Sequence, residues 1–239
     1  MRIACVLPAH NEAASLSGAV AAVRRWGNDR FPGCEFEIVI SENGSHDGTD
    51  AIAGYLAKSG PDVSAVVSSQ AGKGGAVKRG LASVDADAYL VMDVDLSTDF
   101  DSAARLVDLV RGGTDLAIAS RRMQDSQVRR SALRRAMTWA WSSLASFYLG
   151  LGVRDIHCGC KALSRTVRDV VVPHVRDEGF FFDTELLARA RRLGLLVAEI
   201  GVAWEEPDER RSSVPKFATA WEFLRKLPRL KRDLARWPR

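Results

Sequence analysis

The chain has 239 residues, 46% of them hydrophobic and 27% charged, a composition that suits one α/β domain with a short appendage and excludes a disordered or disulfide-dependent fold. Its formal net charge is +4, but residues 121–135 hold six arginines against Asp125, and residues 210–239 hold ten basic residues against Glu222 and Asp233. Such clusters suit phosphate groups or an anionic surface; without a zinc-finger, helix-turn-helix or aromatic RNA-binding signature, no nucleic-acid partner is expected.

The amino terminus, Met-Arg-Ile-Ala-Cys-Val-Leu-Pro, reads as a strand rather than a leader, and no run of about 18 apolar residues predicts a membrane span. Cys5, Cys34, Cys158 and Cys160 are scattered, as expected of reduced thiols in a cytoplasmic protein. Residues 3–7 form an apolar strand, and Leu16, Val20, Val23 and Trp26 recur at helical spacing after it. Residues 36–40 predict a second strand. Thr49 is placed to cap a helix carrying Ile52, Tyr55 and Leu56, which stops at Gly60. Strands at 63–67 and 89–92 bracket a short helix at 75–81, and a helix from Asp101 leads to a fifth strand at 116–119. This alternation predicts a mostly parallel sheet flanked by helices, with ligands at the carboxyl ends of the strands.

Beyond residue 120 the pattern is less regular. A helix is expected over 134–151, rich in Trp139, Trp141, Phe147 and Tyr148, then a turn and strand over 155–163, a helix from Phe180 to Leu193 and a strand over 197–204. From Lys216, the residues Phe217, Trp221, Leu224, Leu227, Leu230, Leu234 and Trp237 recur at helical spacing, with Pro228 expected to kink the helix.

The chemistry gathers at predicted strand ends. Asp93 and Asp95 follow the fourth strand, and a divalent cation such as Mg²⁺ or Mn²⁺ is the natural ligand of two such carboxylates. An isolated Asp-x-Asp more often ends a strand and caps a helix, so its neighbours decide. The glycines of Gln70-Ala-Gly-Lys-Gly-Gly-Ala fit neither a dinucleotide fingerprint nor a P-loop, and a calcium loop from Asp93 lacks its Gly and Glu. His157, Cys158 and Cys160 are too closely spaced for structural zinc.

Four motifs in order, Pro8-Ala-His-Asn-Glu12, Ser41-Glu-Asn-Gly-Ser-His-Asp-Gly-Thr49, Gly72-Lys-Gly-Gly-Ala and Asp93-Val-Asp95, resemble those of the family 2 glycosyltransferases with the GT-A fold. Ala119-Ser-Arg121, residues 155–163, Phe182-Asp-Thr-Glu-Leu-Leu and Trp204-Glu-Glu-Pro are similar to the branch that contains the dolichyl-phosphate mannose and glucose synthases and their bacterial relatives. The chain departs from the family in Glu42-Asn43, where two aspartates are usual, and in Ser97, a weaker metal ligand, where the mannosyl branch often has glutamine.

The resemblance implies a metal-dependent, inverting hexosyltransferase that moves one sugar from a UDP- or GDP-linked donor to a polyprenyl phosphate. It implies a catalytic domain over 1–209, with a nucleotide half (1–120) and an acceptor half (121–209), followed by a basic closing loop and amphipathic tail over 210–239. Donor binding falls to Pro8, Ala9, Asn11, Glu12, Glu42, Lys73, Asp93, Arg210 and Lys216, and acceptor phosphate to Arg121 and Arg134. Asp95, Arg121 and Asp183 are the candidate catalytic residues, Asp183 serving as general base if the acceptor is a hydroxyl and capping its helix otherwise. Aromatic and basic residues coincide at 134–151 and in the tail, so contact with the cytoplasmic membrane face is expected of both. The alternatives are the same chemistry on a soluble or protein-bound hydroxyl, and a non-catalytic nucleotide-binding protein.

Overall fold

The structure, a computed structural model, describes residues 1–124, 126–129, 132–205 and 216–237. It opens with β1 (Arg2–Ala9), α1 (Leu16–Arg30), β2 (Glu35–Asn43), α2 (Thr49–Ala57), β3 (Val63–Ser68), α3 (Lys73–Ala82) and β4 (Ala88–Val91). It continues with α4 (Phe100–Arg111), β5 (Leu116–Ser120), β6 (Gln127–Arg129), α5 (Ala132–Leu149) and β7 (Lys161–Ser164). A π-helical turn and a 3-10 turn over 167–174 lead to α6 (Phe182–Arg192), β8 (Val197–Gly201), β9 (Ala203–Glu205) and α7 (Lys216–Ala235).

Seven strands form one sheet in the order β3-β2-β1-β4-β7-β5-β8, parallel except for β7, which runs antiparallel to both β4 and β5. The fifth predicted strand therefore does not adjoin the fourth. A segment from much later in the chain, β7, lies between them. The strand expected over 197–204 is broken at Val202: β8 stays in the main sheet beside β5, and β9 leaves to pair with β6 in a second, two-stranded sheet.

Alternation along the central strands explains why they read as unbroken apolar runs. In β1, Ile3, Cys5 and Leu7 enter one core with Leu16, Val20 and Val23 of α1 and Leu106 and Val107 of α4. Ala4 and Val6 enter the other, with Val77 and Leu81 of α3 and Leu186 and Leu187 of α6. A strand covered on both faces has no polar position to spare. Burial of Cys5 in this core pushes its thiol up to about 12, so it stays protonated.

The tail helix belongs to the second core. Phe223, Leu227 and Leu230 of α7 are buried there, each such side chain contributing roughly 1.5–3 kcal/mol. Phe223 meets His157, Phe181 and Trp141, and Trp237 packs on His174 and Arg189. Helix α7 runs on through Pro228, held by buried residues on either side of the proline.

Candidate active site

The ends of β1 and β2 form one rigid unit. Asn11 adopts a left-handed backbone (φ 55°), its N–H donates to Ser45 Oγ at 2.9 Å, and its Oδ1 accepts from His46 N at 2.9 Å. Glu12 N–H donates to Thr49 Oγ1 at 2.8 Å, so Thr49 sits in the first turn of α2 and ties two loops together, while Gly48 takes the cap position. Glu42 is 1% exposed and accepts Ser45 N at 2.6 Å, its carboxylate shaping the turn that follows β2.

Asn43 joins three strand ends. Its Nδ2 donates to Ala9 O at 2.7 Å, its Oδ1 accepts Gly72 N at 3.0 Å, and its carbonyl lies 2.8 Å from His10 Nδ1. An ionised aspartate has no proton for Ala9 O, which gives the departure at Glu42-Asn43 a structural reason.

The glycine run 72–75 packs against protein. Gly74 N and Gly75 N donate to Gly179 O (3.2 Å) and Glu178 O (2.9 Å), in the loop that enters α6. A Cβ on Gly74 would lie 2.5 Å from Phe182 Cβ and 2.8 Å from Gly179 O. This close approach starts α3 at Lys73, earlier than the residue 75 expected from sequence, and seats Lys73 beside the end of β4.

There Lys73 Nζ is 2.6 Å from Asp93 Oδ1. Burial opposes the charged ammonium, but Asp93 and, more weakly, Asp183 and Asp95 outweigh it and carry Lys73 up to about 12. Burial likewise opposes the Asp93 carboxylate, and Lys73 with Lys161 and Arg121 brings its pKa below the usual value. Asp95 is shifted upward, by burial first and then by Asp93. Asp95 Oδ1 accepts Ser97 N at 3.0 Å across a turn whose middle residue, Leu96, has φ 51°. A non-glycine residue held in that region marks a turn fixed by its surroundings. Gly159, between Cys158 and Cys160, is the floor under Asp93: a Cβ there would land on the Asp93 carboxylate.

Two more ion pairs complete the cluster. Arg121, just past β5, binds Asp155 through Nε (2.7 Å), Nη2 (3.0 Å) and its backbone N (3.1 Å), and its guanidinium lies 5.5 Å from the Trp204 ring centroid. Asp155 is fully buried; burial works against its charge, but Arg121 prevails and lowers its pKa. Lys161, 2% exposed at the start of β7, is 2.5 Å from Asp183 Oδ1. Asp183 is the second residue of α6, and the contact described for it is this ion pair. His157 Nε2 lies 3.2 Å from Thr184 Oγ1, and burial lowers the His157 pKa. Glu185 Oε1 takes Arg189, at 2.5 Å, while Oε2 accepts Arg176 N and Asp177 N.

The fold thus gathers Lys73, Asp93, Asp95, Arg121 and Asp183 at one end of the sheet. Pro8 and Ala9 end β1, Glu42 lies near the end of β2, and Asn11 and Glu12 are in the loop after β1, all linked to Lys73 through Asn43 and Gly72. Arg210 lies outside the described residues, as do the side chains of Arg134 and Lys216.

Residues 4–171 match the model of glycosyl transferase family 2. The chain belongs to that family. Among the relatives of this family 2 glycosyltransferase, Glycosyltransferase AglD of Haloferax volcanii is 35% identical over 86% of the chain, which spans only 33% of AglD's length. Polyprenol monophosphomannose synthase of Mycolicibacterium smegmatis is 32% identical over 86% of the chain and 78% of its own length. Human dolichyl-phosphate beta-glucosyltransferase is 29% identical over 86% and 68%. These relatives place the glycosyltransferase in the dolichyl- and polyprenyl-phosphate sugar synthase-like branch. Glucosyl-3-phosphoglycerate synthase of Mycobacterium tuberculosis, solved with Mn²⁺, UDP and glucosyl-3-phosphoglycerate, superposes with a TM-score of 0.69 at 20% identity, covering 100% of this chain and 81% of that one, which establishes the GT-A fold.

The donor set suits a hard divalent cation. Asp93 and Asp95 repel one another, Lys73 already serves Asp93 as a cation, and Ser97 Oγ is buried without a well-formed hydrogen bond. Among the described residues no three His, Cys, Asp or Glu side chains form a metal cage. Two carboxylates are what Mg²⁺ or Mn²⁺ requires when substrate phosphates and water supply the other ligands.

Sequence reasoning gave no role to Asn43, Asp155, Lys161 or Gly159. Lys161 carried a usable signal, because a lone lysine beside Ala162 and Leu163 in a buried strand needs a buried acid. Its partner, 22 residues away, is a matter of tertiary structure.

Proposed function

We propose that this chain transfers one hexose from a UDP- or GDP-linked donor to a polyprenyl phosphate at a membrane surface, with inversion and with Mg²⁺ or Mn²⁺ as cofactor. The observation that carries the acceptor class is the pairing of the carboxylates. Asp93 is held by Lys73, Asp155 by Arg121, Asp183 by Lys161 and Glu185 by Arg189. Carboxylate oxygens already engaged by a cation are poorly placed to take a hydroxyl proton, and Asp95 is assigned to the metal, so this cleft is poorly suited to deprotonating a hydroxyl. A phosphate monoester needs no such base, because its second ionisation lies near pH 6.

The residues then divide the work. Asp93 and Asp95 would hold the cation, which when bound supplies Lewis-acid stabilisation to the departing nucleoside diphosphate. Lys73 adds positive charge on the same side, where the leaving group becomes negative. The β1 and β2 loops, made rigid by Asn43, Glu42 and Thr49, receive the nucleoside, with Pro8, Ala9, Asn11 and Glu12 at its border. Asp155 engages Arg121 through Nε and Nη2, orienting Nη1 as a contact for the acceptor phosphate. Arg134 would join Arg121 there, and Arg210 and Lys216 would close on the donor.

Helix α5 supports surface contact. Trp139 and Phe147 on it are 60% and 90% exposed, Leu144 lies between them, and Arg122 sits 5.8 Å from the Trp139 ring centroid. Apolar and basic groups side by side suit an anionic bilayer surface. Among the described residues no helix is long and apolar enough to cross a membrane. The cytoplasmic face is the expected location, because nucleotide sugars are soluble anions that must reach the same side.

The test is transfer of radiolabelled sugar from UDP- and GDP-linked donors to polyprenyl phosphate in detergent. Label in the organic phase, dependent on metal, is expected. Label passing only to water-soluble products would replace the polyprenyl reading with a soluble acceptor.

A further inference from the structure

Lys73 occupies the place where the cation of the proposed donor site must act. Its ammonium is 2.6 Å from Asp93 Oδ1, and both side chains are only partly exposed, at 24% and 38%. Its main chain is pinned: Gly72 N is held by Asn43, and Gly74 and Gly75 are held by residues 178–179. Only the four-carbon side chain is left to move. Gly159 packs against the Asp93 carboxylate so closely that a Cβ there would clash with it, which restricts movement of Asp93 on that side.

Charge sharpens the conflict. Asp93, Asp95 and Asp183 bring three negative charges to this cluster; Lys73 and Lys161 bring two positive ones; and Arg121 with Asp155 is neutral as a pair. A divalent cation arriving alone would sit beside an ammonium already on its ligand. A nucleoside diphosphate arriving alone would face a cluster left with one excess negative charge, its ammonium groups already engaged by Asp93 and Asp183. Arriving together, the cation takes Asp93 and the released ammonium finds phosphate oxygen.

We propose that Lys73 is an exchangeable cation: it neutralises Asp93 until metal binds, then transfers its ion pair to the donor diphosphate, making metal and nucleotide binding mutually dependent. This rests on the reading of Asp93 and Asp95 as metal ligands. The dependence is reciprocal, since each ligand raises the other's affinity by the same factor.

The experiment measures Mn²⁺ binding to the full chain by electron paramagnetic resonance, with and without UDP, in the parent protein, Lys73→Met, Lys78→Met and Asp95→Ala. Lys78 is on the same helix and pairs with Glu178 at 3.4 Å, so its substitution changes net charge without touching Asp93. Lys73→Met is expected to bind Mn²⁺ alone about fivefold tighter than the parent, the scale of removing one partly exposed competing ion pair. It should also bind UDP more weakly in the presence of Mn²⁺ and show a smaller coupling factor between the two ligands. Lys78→Met should match the parent. A merely structural role for Lys73 predicts weaker metal binding on substitution, so unchanged or weaker Mn²⁺ affinity in Lys73→Met overturns the exchange. If the parent binds no Mn²⁺ even with UDP, or Asp95→Ala binds it equally well, the metal reading itself fails, and the exchange with it.

Discussion

Residues 1–120 and the residues that follow them are organised by different means. In the first, consecutive parallel strands deliver consecutive motifs to one end of the sheet, and hydrogen bonds from backbone N–H groups to side-chain oxygens hold them: Asn11 N to Ser45, Glu12 N to Thr49, Ser97 N to Asp95. In the second, and where the tail helix meets it, side chains are joined by opposite charge: Arg121 with Asp155, Lys161 with Asp183, and Lys226 of the tail helix with Asp177. Backbone hydrogen bonds position the loops at the ends of the first strands, and charge pairing positions the later elements. The two meet at Asp93, with Lys73 above it and Gly159 below.

The largest effect should come from that junction. Gly159→Val forces the Asp93 carboxylate out of place, and because a misplacement of about 1 Å can cost 10²-fold, turnover should fall by at least that much while the circular dichroism spectrum is retained. Retention of full activity would mean that Asp93 is not needed where it stands.

Next is Lys161→Met, which leaves Asp183 buried without its cation and should cost about 3–5 kcal/mol, read as a lower denaturation midpoint. Adding Asp183→Asn should recover most of that loss. If the double variant is no more stable than the single, the pair is not the reason Lys161 is buried.

Among the strand-end loops of residues 1–120, Asn43→Asp removes the donor to Ala9 O and should cost about 1–3 kcal/mol, with weaker nucleotide binding in a calorimetric titration. A variant unchanged in both would show that the three strand ends do not depend on this amide.

Acid should separate the halves more gently. The Asp155 pKa is lowered in the fold, so its contribution to stability is present above its unfolded value, near 3.9, and is lost as pH falls through the lower folded value. Asp95 is shifted the other way, so its protonation as pH falls through its raised value relieves repulsion with Asp93. Melting curves of Asp155→Asn should therefore lose less stability than the parent below about pH 4.

The smallest expected change is at the surface. Phe147→Ser should leave stability within about 0.5 kcal/mol and reduce cosedimentation with anionic vesicles. Equal cosedimentation would remove α5 from the membrane reading.

Much of residues 1–120 was legible in the chain itself. The β-rich runs at 3–7, 36–40 and 89–92, alternating with helical spacing, read as strands of a parallel sheet, and the polar residues after them then fell at their carboxyl ends. The glycine run was legible as a place of close approach, but not what approaches, because a glycine records the absence of a side chain and not the identity of its neighbour. The apolar stripe of residues 216–237 was equally ambiguous. The same spacing serves a bilayer or a protein core, and contacts with His157, Phe181 and Trp141 put Phe223 in the core.

Sequence by itself determined the family, the α/β class, the order of the strand-end motifs and the aspartate pair, because these depend on local pattern. Only the tertiary structure decided that β7 enters the sheet antiparallel between β4 and β5, that Lys161 meets Asp183, and that Lys73 rests on Asp93. Strand direction and ion pairing are set by which distant segments can bury their surfaces together, and no local window of residues carries that information.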